Sequence, residues 1–207
     1  MTTIVKICGV TRPDDGALCA RAGADWIGLN FWPHSKRAVG RAAARAIAAA
    51  IRAERRDVEL VGIFVNEDPA AVSSIADDVG LDRVQLHGDE PASAIAALGG
   101  RGVAAVRVAA PADVDRAAAL PPEAVVLVDA SGAGYGGSGT LADWELARQV
   151  IAAGRRVILA GGLSPDNVAD AIRAVGPWGV DVASGVESAP GKKDPDRVRA
   201  FIEAARI

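Results

Sequence analysis

Hydrophobic positions along the chain fall into short apolar runs rich in β-branched residues, and these alternate with Ala-rich stretches of helical periodicity. The short runs predict strands at Ile4–Cys8, Trp26–Asn30, Leu60–Val65, Arg83–Leu86, Val103–Val108, Ala124–Val128, Val157–Leu159 and Gly179–Ala183. The stretches between them predict helices at Pro13–Ala22, Arg41–Arg56, Pro69–Val79, Pro91–Leu98, Ala112–Leu120, Ala142–Ala153, Pro165–Val175 and Pro195–Ala205.

Strict alternation of strands and helices is typical of a parallel sheet with helical crossovers. Eight such pairs in 207 residues predict an α/β fold, a compact (βα)8 TIM barrel forming a single domain over residues 1–207. A doubly wound open sheet is the structural alternative. It is disfavoured because the first strand is followed by C-G-V-T rather than by G-x-G-x-x-G.

Composition narrows the class of protein. Half of the residues are hydrophobic, which is enough for one well-buried core. With a net charge of −3 and no basic stripe, nucleic acid is not an expected partner. The apolar runs are too short to span a membrane, and the first residues lack the layout of a signal peptide. Cys8 and Cys19 do not make a disulfide framework, so we expect a cytoplasmic protein.

Two small-residue turns follow the last two predicted strands: Gly161-Gly162 and Ser184-Gly185. Free backbone N–H groups at such turns, with the positive end of the next helix, form an anion site. In an eight-fold barrel, the loops after strands 7 and 8 are the usual phosphate site. The glycine-rich stretch Ser131–Thr140 is either a slack connector or a loop that closes over the ligand and adds N–H donors.

Active sites of barrels lie at the carboxyl ends of the strands. The polar residues expected there are Cys8, Asn30, Asn66, His87, Arg107, Asp129 and Ser184. Because side chains alternate along a strand, Lys6 shares a face with Cys8, and Asp181 occupies the matching level of strand 8. Strands 1 and 8 are neighbours in a closed barrel. We therefore predict an ion pair between Lys6 and Asp181 that places positive charge beneath Cys8.

Each candidate residue has a structural interpretation as well as a functional one. Cys8 is either a small buried hydrophobe or, near a lysine at a strand end, a thiolate that acts as nucleophile or base. Asp129 either caps the following loop or, at the end of an apolar run, serves as a general acid with a raised pKa. His87 contacts a ligand, hydrogen-bonds to another site residue, or packs in the wall of the barrel mouth. Arg37 is either solvated or holds a substrate carboxylate.

No cofactor is expected from the residues. The histidines, His34 and His87, and the scattered carboxylates show no metal-ligand spacing, so no metal site is predicted. A possible thiol base and a carboxylic acid lie on different strands, beside a predicted phosphate site. This arrangement suits the isomerisation of a small phosphorylated metabolite by proton transfer. The spacing of the residues does not name the substrate.

A set of motifs nevertheless resembles one family over essentially the whole chain. The motifs are K-I-C-G at 6–9, F-x-P-x-S-x-R at 31–37, V-Q-L-H-G-D-E at 84–90, L-V-D at 127–129, G-G-S-G-T-L-A-D-W at 136–144, L-A-G-G-L-S-P-D-N-V at 159–168, G-V-D-V-A-S-G-V-E at 179–187 and G-K-K-D at 191–194. Together they resemble phosphoribosylanthranilate isomerase, an enzyme of tryptophan biosynthesis.

The resemblance implies an Amadori rearrangement of N-(5-phosphoribosyl)anthranilate to 1-(2-carboxyphenylamino)-1-deoxyribulose 5-phosphate. It implies that Asp129 is the general acid, Cys8 the general base and Arg37 the ligand of the anthranilate carboxylate. It also implies that phosphate is held by the turns after strands 6, 7 and 8. The residues concerned are Gly137, Ser138, Gly139, Gly161, Gly162, Ser184 and Gly185. Cofactors are not implied, and members of the family occur as monomers or homodimers.

Three departures from the family pattern bear on lid closure and substrate breadth: the short loop at 129–136, Thr140, and the bulky Phe31-Trp32 entry. Competing hypotheses are an indole-glycerol-phosphate synthase, a sugar-phosphate isomerase or epimerase, and a non-catalytic metabolite-binding barrel. The synthase would need several inward lysines, whereas Lys6 is the only lysine within a predicted strand. The epimerase would need histidine and aspartate metal ligands.

Overall fold

The computed structural model describes residues 2–129 and 144–207. Eight parallel strands form a closed barrel: β1 (Ile4–Ile7), β2 (Trp26–Asn30), β3 (Glu59–Phe64), β4 (Arg83–Leu86), β5 (Gly102–Arg107), β6 (Val125–Asp129), β7 (Val157–Leu159) and β8 (Gly179–Val182). The helices that surround them are α1 (Pro13–Ala22), α2 (Arg41–Glu54), α3 (Pro69–Val79), α4 (Ala92–Ala97), α5 (Pro111–Ala118), α6 (Trp144–Ala152), α7 (Val168–Val175) and α8 (Pro195–Ala204).

Pairing of the first strand with the last closes the sheet. β1 is hydrogen-bonded in parallel to both β2 and β8, so that Lys6 lies opposite Trp26 on one side and Asp181 on the other. An open doubly wound sheet would leave β1 and β8 apart. The (βα)8 barrel predicted from the sequence is therefore confirmed.

Local sequence explains where several helices begin and end. Both α3 and α8 start at a proline that follows an aspartate. Asp68 accepts hydrogen bonds from two N–H groups in the first turn of α3, and Asp194 does the same for α8. Aspartate is a preferred N-cap residue, and proline suits the first helical position because its missing N–H would have no helical partner. α3 then ends at Gly80, which adopts a left-handed conformation.

The core has two layers. The larger one fills the space between the barrel and its helices. The smaller one lies inside the barrel, where inward-facing side chains pack together: Trp26, Val61, Val103, Val125, Leu127, Ile158 and Ala160. Two polar side chains, Lys6 and Gln85, are buried to 0% and 1% exposure. Burying a polar group without a partner costs free energy, so both side chains are expected to have hydrogen-bond partners at the mouth of the barrel.

Two features differ from the sequence-based prediction. The seventh helix begins at Val168 rather than Pro165, because Asn167 accepts a hydrogen bond from Ser164 N and holds the preceding residues in a turn. After β8, a short antiparallel hairpin of β9 (Glu187–Ala189) and β10 (Lys192–Lys193) was not predicted. Other boundaries agree within about two residues. The predicted loop Ser131–Thr140 and the start of helix 6 at Ala142 lie outside the described residues.

Candidate active site

The ion pair predicted inside the barrel is confirmed. Lys6 Nζ lies 2.9 Å from Asp181 Oδ1, with the lysine side chain fully buried and the aspartate 11% exposed. Burial alone would lower the pKa of Lys6, but the charges of Asp181 and Cys8 outweigh it and the pKa is raised above 10.5. Lys6 therefore carries a positive charge at neutral pH, directly along the strand from Cys8.

Cys8 follows the last residue of β1 and lines a cavity at the barrel mouth. Burial raises the pKa of its thiol above 9.0, and Asp181 acts in the same direction, whereas Lys6 and Lys193 oppose them. The thiol is thus protonated at neutral pH in the free protein. The positive charge beneath Cys8 that the sequence predicts is present, but it offsets the effect of burial only in part.

Asp129, the last residue of β6, stands beside His87. The distance from His87 Nε2 to Asp129 Oδ2 is 3.4 Å. The other ring nitrogen, Nδ1, lies 2.9 Å from the amide Nε2 of Gln85. With the amide assigned this way, Gln85 donates to Nδ1, so the ring proton sits on Nε2 and points towards Asp129. Of the three possible roles predicted for His87, the geometry favours support of another residue.

Arg37 is held by a partner that the sequence analysis missed. Its Nε and Nη2 donate hydrogen bonds of 2.7 and 2.6 Å to the two carboxylate oxygens of Glu187. The backbone before it is ordered by Asn30, whose side chain accepts from Trp32 N and donates to Ser35 Oγ. Arg37 is therefore fixed at both its backbone and its guanidinium, and its side chain is only 19% exposed.

Lys193 is the second residue that sequence reasoning missed. Its ammonium group is fully buried and donates three hydrogen bonds, to Cys8 O at 2.7 Å, Ala183 O at 3.0 Å and Glu187 Oε1 at 3.0 Å. An ammonium group has three N–H donors, so all are satisfied. Lys193 thereby ties the ends of β1 and β8 to the hairpin. The hairpin strands are too short to show a period, so the pattern held no signal for it.

The two turns predicted to form a phosphate site lie against each other. A Cβ on Gly185 would come within 2.0 Å of Leu163 O, so the turn after β8 packs directly on the loop after β7. Gly161 and Gly162 have φ values of 85° and 67°, in the left-handed region that favours glycine. Asn167 braces this loop by donating to Gly162 O and accepting from Ser164 N.

One cavity brings most of the predicted site residues together. Its lining includes Cys8, Arg37, His87, Asp129, Gly161, Gly162 and Ser184. Gly185 lies behind this lining, against Leu163. Gly137, Ser138 and Gly139 fall outside the described residues. A second cavity of about 900 Å³ between α4 and α5 shares His87 and Asp129 with the first, but Cys8, Arg37, Gly161 and Ser184 line only the first.

The family model for N-(5'phosphoribosyl)anthranilate (PRA) isomerase matches residues 5–204. The chain belongs to the PRA isomerase family. It is 45% identical over 209 residues to the N-(5'-phosphoribosyl)anthranilate isomerase of Myxococcus xanthus, covering 100% of this chain and 97% of that protein. The corresponding protein of Roseiflexus castenholzii is 49% identical over 212 residues, covering 98% of each.

Solved structures of PRA isomerases share the fold. The crystal structure from Thermotoga maritima has a TM-score of 0.90 and 40% sequence identity, with 98% of each chain covered. Another, in complex with reduced 1-(o-carboxyphenylamino)-1-deoxyribulose 5-phosphate, has a TM-score of 0.86 and 38% identity, with 98% of each chain covered. A further Thermotoga maritima structure, with a TM-score of 0.86, concerns monomers generated from a dimeric enzyme.

Within residues 2–129 and 144–207, no group of three or more His, Cys, Asp and Glu side chains could hold a metal ion. No helix in that part of the chain is long and apolar enough to cross a membrane.

Proposed function

We propose that this chain catalyses the rearrangement of N-(5'-phosphoribosyl)anthranilate that gives its family its name, with Asp129 as general acid and Cys8 as general base. The observation that carries the proposal is the single cavity lined by both residues together with Arg37 and the two glycine turns. An acid and a base from different strands can reach opposite sides of one sugar whose phosphate is held at the loops after β7 and β8.

The proposed reaction begins with the acid. The carboxylic acid of Asp129 protonates the furanose ring oxygen, the C1–O bond breaks, and a cationic Schiff base forms between C1 and the anthranilate nitrogen. His87, aimed at Asp129 by Gln85, supports this role by donating to the carboxylate that remains. General acid catalysis of this kind contributes about 10²–10⁴-fold to the rate.

The second step uses the base. The Cys8 thiolate removes the C2 proton, the electrons of the C–H bond move to the Schiff base, and the enolamine then tautomerises to the ketone. Because the pKa of Cys8 is raised, the thiol must first release its proton to solvent, and positive charge must stabilise the thiolate when substrate binds. The cationic Schiff base supplies that charge next to the sulfur, in addition to Lys6 and Lys193. Charge on the intermediate also makes the C2 proton more acidic, so neither a metal nor a nicotinamide is needed.

Binding roles complete the proposal. Arg37 holds the anthranilate carboxylate, and Gly161, Gly162, Ser184 and Gly185 hold the phosphate, together with Gly137, Ser138 and Gly139. A cytoplasmic setting is supported by the two free cysteines. The expected states are a monomer or a homodimer, and light scattering on the purified protein distinguishes them. The dimeric Thermotoga maritima relative supports the homodimer.

Activity of two variants tests the catalytic assignment. With substrate generated in situ and the loss of anthranilate-type fluorescence followed without added metal, we expect Cys8→Ser and Asp129→Asn to lose about 10²–10⁴-fold in kcat/KM. Cys19→Ala is the matched control, because Cys19 is buried in the outer core away from the mouth. Urea unfolding establishes that each variant is folded. Wild-type activity in either folded variant would overturn the role of the substituted residue.

A further inference from the structure

The guanidinium group of Arg37 has one edge bound to Glu187 and one edge open to the cavity. An arginine side chain offers five N–H donors on two edges, one formed by Nε and one Nη, the other by both Nη groups. Glu187 occupies the first edge with bonds of 2.7 and 2.6 Å. Among the described residues, no other acceptor bonds to the guanidinium, and Arg37 lines the cavity that holds Cys8 and Asp129.

The stem of Arg37 is also confined. It crosses Gly9, where an added Cβ would lie 2.3 Å from Arg37 Cδ. With the stem against Gly9 and one edge bound to Glu187, the plane of the guanidinium has little freedom to turn. Its second edge is thereby pre-oriented, and pre-orientation lowers the entropy lost when a ligand binds.

The charges around Glu187 keep its carboxylate ionised. Burial raises the pKa of Glu187, but hydrogen bonds and charge from Arg37 and Lys193 outweigh burial, and the net pKa is lowered. One carboxylate thus faces two cations, Arg37 at one side and Lys193 Nζ at 3.0 Å on the other. The three groups carry a net charge of about +1, which favours an anion at the open edge of Arg37.

We propose that Glu187, backed by Lys193, is a positioning residue that turns the second edge of Arg37 towards the substrate carboxylate and so sets the preference for carboxylate-bearing substrates. This inference rests on the proposed function. Glu187 itself does not touch the substrate. Its contribution appears only with ligands that carry the carboxylate, which separates it from a general role in holding the hairpin.

Binding of two probes tests the proposal. The first is reduced 1-(o-carboxyphenylamino)-1-deoxyribulose 5-phosphate, and the second is the same compound made from aniline, which lacks the carboxylate. Calorimetry on Glu187→Gln should show about 10-fold weaker binding of the first probe and an unchanged Kd for the second, as expected for the loss of one oriented charge-assisted hydrogen bond. Equal weakening of both probes, or of neither, would overturn the inference.

The chain offers a matched control at the opposite end of the barrel. Glu59 accepts hydrogen bonds from Nε and Nη2 of Arg83, the same pairing that Glu187 makes with Arg37. Glu59→Gln removes an equivalent pair remote from the cavity, so both probes should bind it as they bind the wild type. A carboxylate-specific loss in Glu59→Gln would show that breaking any such pair has this effect, and would contradict the proposal.

Two further variants extend the test, and Arg37→Lys keeps it possible if Glu187→Gln is unfolded. Arg37→Lys can still pair with Glu187 but has no second planar edge, so it should discriminate between the probes as poorly as Arg37→Ala. In an Arg37→Ala background, Glu187→Gln should have no additional effect on either probe, because the two residues act as one unit. Wild-type discrimination in Arg37→Lys, or an additive effect in the double variant, would overturn the inference.

Failure of the proposed function gives a different result. If the wild type neither binds the carboxylate probe nor turns over the substrate, the function assigned to the site is wrong. If the wild type does both and Arg37→Ala loses its preference for the carboxylate probe while Glu187→Gln keeps it, only the role of Glu187 is wrong.

Discussion

On the side of the barrel mouth formed by β8, β1 and β2, charged groups hold one another. Lys6 pairs with Asp181, and Glu187 pairs with both Arg37 and Lys193. On the side formed by β4 and β6, Asp129 is contacted instead by two side chains in series. Gln85 contacts His87, and His87 contacts Asp129.

The difference fits the roles proposed for the two sides. A buried thiol acts as a base only if positive charge stabilises its thiolate, and paired lysines supply that charge without leaving any ion uncompensated. A general acid must release its proton and take it back, and a hydrogen-bond donor beside it stabilises the carboxylate that remains. Ion pairs on one side and a histidine held by an amide on the other thus suit the proposed base and the proposed acid within one cavity.

The largest effect on stability is expected from breaking the charged side at Lys6. Lys6→Met leaves the Asp181 carboxylate without its partner inside the barrel, and we expect a loss of about 3 kcal/mol in the free energy of unfolding, measured with urea. The pKa of the Cys8 thiol should rise further, because one of the cations that lowers it is gone. The pH dependence of thiol alkylation, in a Cys19→Ala background, measures that change.

The double variant Lys6→Met/Asp181→Leu is the control for this loss. Replacing both members of a buried pair by apolar groups is often nearly neutral, so most of the lost stability should return. The raised thiol pKa should remain high in the double variant, because burial is its main cause. A Lys6→Met variant with wild-type stability and an unchanged thiol pKa would contradict the predicted effect of Lys6 on both quantities.

A smaller effect is expected on the side of Asp129, and it should separate stability from activity. The Oε1 atom of Gln85 is buried and has no hydrogen-bond partner in the described structure. Gln85→Leu removes this unsatisfied acceptor together with the donor to His87, so stability should change by less than about 1 kcal/mol. Activity should fall by about 10-fold, because the proton on His87 Nε2 is no longer directed at Asp129.

The tautomer of His87 can be observed directly. The chain has two histidines, His34 and His87, so nitrogen NMR of the imidazole rings gives two sets of signals. In Gln85→Leu the His87 signals should move from a single Nε2–H tautomer to a mixture, while those of His34 stay unchanged. A pure Nε2–H tautomer in the variant would show that Gln85 does not set the proton position.

What could be predicted from the sequence also differs between the two sides of the barrel mouth. The barrel was predictable because each strand is a short apolar run with its own helix, and the Lys6–Asp181 pair followed from side-chain alternation once β1 and β8 were taken as neighbours. Gln85 was missed although the same alternation places it on one face with His87, two residues away. That signal was present in V-Q-L-H and could have been used.

Glu187 and Lys193 were missed for a physical reason. They lie on strands of three and two residues, too short for any period to show, and their pairing depends on an antiparallel hairpin after the eighth strand. Arg37 precedes Glu187 by 150 residues. Nothing local to either residue indicates the other, so only the folded barrel reveals that the predicted carboxylate ligand is itself held by a carboxylate.

The smallest expected effect concerns the pH dependence of stability. The pKa of Glu187 is lowered in the folded protein, so its contribution to stability is fully present above the ordinary value of 4.5 and is lost as pH falls through the lower folded value. The difference in unfolding free energy between wild type and Glu187→Gln should therefore shrink as the solution is acidified below pH 4.5. It should be modest, because burial of the carboxylate opposes the lowering by Arg37 and Lys193. Gln85 does not titrate, so the corresponding difference for Gln85→Leu should stay nearly constant over the same range. A parallel decline in both variants would contradict the assignment of this pH dependence to Glu187.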